Sequence, residues 1–122
     1  MKYIEYNTEG NCIIRSFSKL YSIDPTSIYN ELNSIKEELN ANDSSDIEVF
    51  EEYMKRRNTN KIDGYKDVLV KDLVLDNNSY IVFCYDKKDW YHLIPIIDNT
   101  VYDKTDKCLD LYTISIYKKN KN

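Results

Sequence analysis

The stretch Gly10-Asn11-Cys12-Ile13-Ile14-Arg15-Ser16-Phe17-Ser18-Lys19-Leu20 decides how the rest of the chain is read. Ile13, Phe17 and Leu20 recur at i, i+4 and i+7, with Ile14 and Tyr21 alongside, so the spacing predicts a helix with one apolar face. Asn11 is a favoured N-cap residue and starts this helix at about Cys12. A cysteine in a first helical turn sits among unpaired backbone N–H groups at the positive end of the helix dipole, which favours thiolate over thiol. Gly10 leaves space in front of it. Cys12 is therefore a candidate nucleophile, provided that a base reaches it from elsewhere in the chain.

Working outward, the segments on the C-terminal side read first as helices and then as strands. Asp24-Pro25 gives an N-cap followed by proline at the first helical position. Ile28, Leu32, Ile35 and Leu39 then form one apolar stripe on a helix from Pro25 to about Leu39. After a polar loop over 40–45, Ser45 and Glu48 have the spacing of a capping box. A third helix is expected from there to about Arg57, with Val49, Phe50, Tyr53 and Met54 apolar. Residues 56–64 read as a polar connection. From Ser79 the period changes to that of strands: Tyr80 to Tyr85, a four-residue turn over 86–89, and Trp90 to Ile97. The two-residue turn Asp98-Asn99, a return strand from Val101 to Asp103 and a last strand from Leu111 to Tyr117 follow. Helices over about 11–57 followed by an antiparallel sheet over about 79–118 make an α+β domain. The tail Lys118-Lys119-Asn120-Lys121 reads as a frayed end.

Composition narrows the function. With 122 residues the chain makes one domain, 1–122. A formal net charge of −4 argues against nucleic acid as a partner. No apolar run reaches membrane-spanning length. Met1 to Glu9 alternates and carries Glu5 and Glu9, unlike a secretory signal, so a cytoplasmic location is expected. Cys12, Cys84 and Cys108 are odd in number and form no Cys-x-x-Cys pair, so no disulfide framework is expected. A zinc site would draw its ligands from close pairs. The three cysteines and the single histidine are isolated, so neither metal nor cofactor is expected.

That histidine, His92, is the one imidazole available to Cys12. The two-residue hairpin pairs Ile97 with Thr100, Ile96 with Val101 and Ile94 with Asp103. His92 and Ile94 share a face of the pleat, so Asp103 lies on that face, diagonal to His92. Asp98 is at the turn tip, and Asp106, the second candidate, lies beyond the strand. Trp90 shares the face of His92, as a wall of the site or as core. The four-residue turn pairs Phe83 with His92 and leaves Cys84 on the opposite face, in the core. Cys108 falls in a polar region with no assigned role. Pro95 removes a ladder donor, so its strand is bulged there or at an edge. Arg15 is expected to pair with a carboxylate or to add positive potential near Cys12. Asp43, Asp46, Glu48, Glu51 and Glu52 read as a solvated acidic face.

A cysteine on an N-terminal helix and a histidine on a distant strand is the order of papain-like cysteine peptidases. Asn11-Cys12-Ile13-Ile14-Arg15-Ser16 resembles the aspartate-cysteine, two aliphatics, arginine, alanine opening of small papain-like proteins of phages and mobile elements. Ser79 to Asp106 is similar to their second half. The resemblance implies a papain-like α+β fold, with a short helix within Val68 to Leu75 ahead of the sheet. It implies a Cys12–His92–Asp103 triad in which Asp103 orients the imidazole. It also implies two oxyanion donors, of which the backbone N–H of Cys12 is one. The family takes the other from a glutamine about six residues before the cysteine. Here Tyr6 holds that position and the chain has no glutamine; Asn7 is the nearest side-chain amide. The expected function is a cysteine-dependent hydrolase acting on an amide or thioester, most simply a peptidase with a peptide or protein substrate. Two alternatives are a non-catalytic binding module on the same fold and a related acyl-transfer or amidase enzyme.

Overall fold

The computed structural model describes residues 1–121; position 122, the last of the expected domain, lies outside the described residues. Strand β1 (Lys2–Glu5) is followed by helices α1 (Cys12–Tyr21), α2 (Pro25–Leu39) and α3 (Ile47–Lys55). Strand β2 (Thr59–Ile62), a single 3-10 turn (Val70–Asp72) and strands β3 (Ser79–Tyr85), β4 (Tyr91–Ile97) and β5 (Thr100–Asp103) come next. A 3-10 segment (Asp106–Asp110) leads into β6 (Tyr112–Lys119). Among the described residues this is a mixed α+β arrangement of three α-helices and one six-stranded sheet, in the order β1-β5-β4-β3-β6-β2. All pairings are antiparallel except β1 with β5.

The helix starts follow their caps. Asn11 Oδ1 accepts the Ile14 N–H at 3.0 Å, and Asp24 Oδ1 accepts that of Ser27 at 2.9 Å ahead of Pro25. The capping box expected at Ser45 and Glu48 does not form. Asp46 takes the cap position without a side-chain cap bond, and Ser45 bonds back to Asp43 instead. That Asx-type turn uses the same short polar side chains for a competing local bond.

The sheet separates two apolar clusters. On one face Ile13, Phe17 and Leu20 of α1, Ile28, Leu32 and Ile35 of α2, and Val49, Phe50, Tyr53 and Met54 of α3 pack on Ile81, Leu93 and Tyr117. Phe17 stacks on Tyr53 with ring centroids 4.5 Å apart. Leu39, expected to extend the α2 stripe, is the last residue of the helix and is 42% exposed. On the other face Val82, Ile94, Ile96, Val101 and Ile116 are covered by Val70, Leu73, Leu75, Cys108 and Leu111 of the irregular segments. The short helix expected within Val68 to Leu75 is reduced to the turn Val70–Asp72, since Leu73 is already extended.

Several expectations about the sheet change, beginning with the parallel β1–β5 pair in a sheet expected to be antiparallel. Residues 59–62, expected within a polar connection, form β2 at the edge against β6. Lys118 and Lys119, expected to fray, belong to that pairing, and the Asn120 N–H donates to the Asn58 carbonyl. The β3–β4 turn is one residue longer than expected. Asp86 accepts the N–H groups of Lys88 and Trp90, and its own N–H donates to the Trp90 carbonyl. Tyr85 therefore pairs with Tyr91, and Cys84, not Phe83, stands opposite His92.

The β4–β5 hairpin sets up the site. Asp98 and Asn99 both have positive φ, at 51° and 58°, as a type I′ turn requires. The ladder then runs only through Ile97↔Thr100 and Ile96↔Val101. The expected pair of Ile94 with Asp103 is absent from it. Pro95 is two residues before Ile97, so it turns its backbone to the same strand edge, where it has no N–H to give. Leu93, two residues earlier again, bonds to α1 instead of β5: its carbonyl accepts the Ser16 hydroxyl at 2.9 Å. Pro95 thus lies inside the sheet, where the ladder ends and α1 takes over.

Candidate functional site

Cys12, His92 and Asp103 meet at this break. By strand alternation His92 and Asp103 lie on the sheet face away from the helices, with Ile94 and Val101. The N-terminus of α1 reaches them because β5 leaves the edge of β4 open beside Leu93. The imidazole Nε2 of His92 is 2.7 Å from Asp103 Oδ2, with both side chains buried. That bond leaves Nδ1 for Cys12, whose thiol pKa the neighbouring imidazole lowers. The Leu93 N–H lowers it as well.

The charges follow from this geometry. Burial pushes the Cys12 thiol up, but the His92 bond and charge, the Leu93 N–H and Arg15 outweigh it, and its pKa falls below the ordinary thiol value. Burial pulls His92 down, yet Asp103 and Cys12 raise it to about 9. Asp103 is pushed up by burial and brought below the usual carboxylate range by His92, the Lys104 N–H and Arg15. The arrangement favours the thiolate–imidazolium form of the pair, with a carboxylate behind it.

Several neighbours hold the three residues. Asp103 is fixed through its backbone, since its carbonyl accepts from the Tyr6 N–H and from the Tyr3 hydroxyl, both at 2.8 Å. Arg15 donates to the Gly10 carbonyl at 3.0 Å and lies 3.8 Å from Asp103 Oδ1. It ties the loop before Cys12 to the strand carrying Asp103, the pairing role expected for it. Gly10 has φ +98°, and a Cβ there would be 2.7 Å from Ile14 Cγ2. The position thus admits only glycine without a shift in α1. Trp90 lies 5.0 Å from His92, ring centroid to centroid, with the planes 21° apart. It covers the imidazole from outside the cleft.

The remaining expectations divide. Asn7 is exposed in the loop and does not line the cleft at Cys12. Asn11 spends its side chain on the Ile14 N–H and its carbonyl on the Arg15 N–H. The first-turn N–H groups of Cys12 and Ile13 have no carbonyl four residues back within the helix. Asp106 begins the 3-10 segment, and of the two candidate aspartates it is Asp103 that bonds the ring. Cys84 is buried, its thiol donating to the His92 carbonyl at 3.4 Å, and burial raises its pKa. Cys108, expected in polar surroundings, is also buried, and burial with Asp103 nearby pushes it up to about 12. Both thiols are shifted up, the opposite direction to Cys12. No cluster of three or more His, Cys, Asp or Glu among the described residues is arranged to hold a metal ion.

A cleft of about 820 Å³ opens at Cys12. Cys12 and Ile13 of α1, Phe50 and Glu51 of α3, Phe83 of β3 and Tyr91, His92 and Leu93 of β4 line it. Ser45, Asp46, Ile47 and Glu48 form its rim. Asp46, Glu48 and Glu51, expected on a solvated face, therefore border the cleft. Sequence spacing gave no signal of this, because it depends on how α3 is set against β3 and β4. No helix among the described residues is long and apolar enough to cross a membrane. No family model matches the chain, no curated protein matches its sequence and no solved structure matches its fold.

Proposed function

We propose that this protein is a papain-like cysteine hydrolase that cleaves an amide bond, most simply in a peptide, through Cys12, His92 and Asp103. The observation that carries this reading is the buried His92–Asp103 bond beside a thiol whose pKa is lowered, at the mouth of an open cleft. The thiolate attacks the carbonyl carbon, forming a C–S bond and an oxyanion that faces the N–H groups of Cys12 and Ile13. The imidazolium gives its proton to the leaving amine as the C–N bond breaks. The neutral ring then takes a proton from water, whose oxygen attacks the thioester. The C–S bond breaks and the thiolate–imidazolium pair returns. Asp103 keeps the ring oriented and its cationic form stable throughout.

All three cysteines are free, which suits a reducing, cytoplasmic setting. A peptide or protein is the substrate class this reading expects, with no nucleic acid. Hydrolysis of a panel of peptide amides and peptide thioesters tests it. Turnover is expected in the wild type and lost in Cys12→Ala and His92→Ala, with Asp103→Ala slowed by about 10²-fold or more. Absence of turnover above the Cys12→Ala background would overturn it. The exposed Asn7 favours one other reading, a binding module on the same fold. In that case Cys12→Ala would fold normally and keep its biological effect.

A further inference from the structure

The cleft has three properties at once. Its floor is apolar and largely aromatic: Phe50 meets Phe83 edge-on at 5.5 Å, and Phe83 stacks on Tyr91 at 5.8 Å. Its lip continues outward over exposed apolar side chains, with Ile47 50% and Tyr91 53% exposed. Its charged lining, apart from His92, is entirely acidic: Asp46, Glu48 and Glu51. These carboxylates are unequally engaged. Glu51 accepts the Tyr117 hydroxyl at 2.7 Å and lies 3.2 Å from Lys61 Nζ. Asp46 accepts the Asp43 N–H at 3.2 Å. Glu48 makes no ion pair or side-chain hydrogen bond among the described residues.

An acid-rimmed cleft over aromatic faces matches a long apolar stem that ends in a cation. We infer that the cleft beside Cys12 takes a lysine or arginine side chain of an extended peptide, its stem against Phe50, Phe83 and Tyr91 and its charge at Glu48 and Asp46. The inference rests on the thiol-hydrolase reading and adds the substrate class to it. An acidic side chain is disfavoured there by the same rim. Charge on the rim also steers basic peptides toward the site, an effect that weakens with salt.

The test uses peptidyl acyloxymethyl ketones that differ in one side chain, lysine, norleucine or glutamate, placed in turn at the residue that carries the reactive ketone and at the residue before it. Labelling of Cys12 is followed by intact mass. Norleucine lacks only the ammonium group, so it isolates the charge. The lysine probe is expected to label at least tenfold faster than norleucine in one position, and glutamate slower than both. The lysine advantage should shrink in Glu48→Gln and at high salt. Equal or faster labelling by norleucine overturns the inference, as does labelling by none of the peptides. Iodoacetamide on the same samples separates the two readings. If iodoacetamide finds Cys12 activated while the lysine advantage is missing, the basic-peptide cleft fails and the thiol site stands. If Cys12 behaves as a free thiol, the site itself fails.

Discussion

Cys12 and His92 stabilise each other's charged forms, and this shapes the pH dependence of the fold. His92 is raised to about 9, so its stabilising contribution is complete below its unfolded value and is lost as pH rises through about 9. Cys12 is lowered, so its contribution is complete above the unfolded thiol value and is lost as pH falls through the folded one. Above the folded Cys12 value and below the unfolded one of about 8.5, the rising Cys12 trend opposes the falling His92 trend and the two offset. Wild-type stability should therefore be nearly flat across this window. In Cys12→Ala only the His92 trend remains, and urea midpoints should decline as pH rises through it. Arg15 makes a further prediction at this scale. Arg15→Met removes the bond to Gly10 and the charge beside Asp103, and should cost about 1–3 kcal/mol by urea denaturation. The meeting of Cys12, His92 and Asp103 was legible in the sequence because first-turn position, uniqueness and pleat are local properties. The acidic rim was not, since Asp46, Glu48 and Glu51 become a cleft wall only through tertiary packing.

At the scale of elements, α1 replaces β5 as the partner of β4. Pro95 ends the ladder, and Ser16 takes the Leu93 carbonyl that β5 leaves open. Ser16 is buried, so Ser16→Ala leaves that carbonyl without a donor. It should destabilise by about 1–3 kcal/mol in equilibrium unfolding and slow Cys12 alkylation. The type I′ turn makes a second demand. Asn99→Val puts a β-branched residue at positive φ and should cost about 1–2 kcal/mol by the same measurement. The sequence marked Pro95 as a break but left open whether it lay at an edge or a bulge. The answer needed the helix that fills the gap. The β3–β4 register was missed for a local reason: Asp86 caps the turn with its own carboxylate and draws Trp90 into the loop. That shift put Cys84 opposite His92.

For the whole molecule, the sheet is a partition between a helical core and a core closed by irregular chain. The α+β order was readable because periods of 3.6 and 2 occupy separate halves of the sequence. Strand β2 was not readable, because four mostly polar residues at an edge carry no pattern. Phe17, fully buried on Tyr53 and part of the helix that carries Cys12, couples stability to the site. Phe17→Ala should cost about 3–5 kcal/mol, read as a lower thermal or urea midpoint. The central claim is that fold and site converge on one thiolate–imidazolium pair. Its most direct test is the rate of Cys12 alkylation by iodoacetamide against pH, in the wild type and in His92→Ala. The wild type should reach half its maximal rate well below the free-thiol value of about 8.5, and His92→Ala should move that midpoint up toward it. A wild-type midpoint at the free-thiol value, unchanged in His92→Ala, would contradict the account.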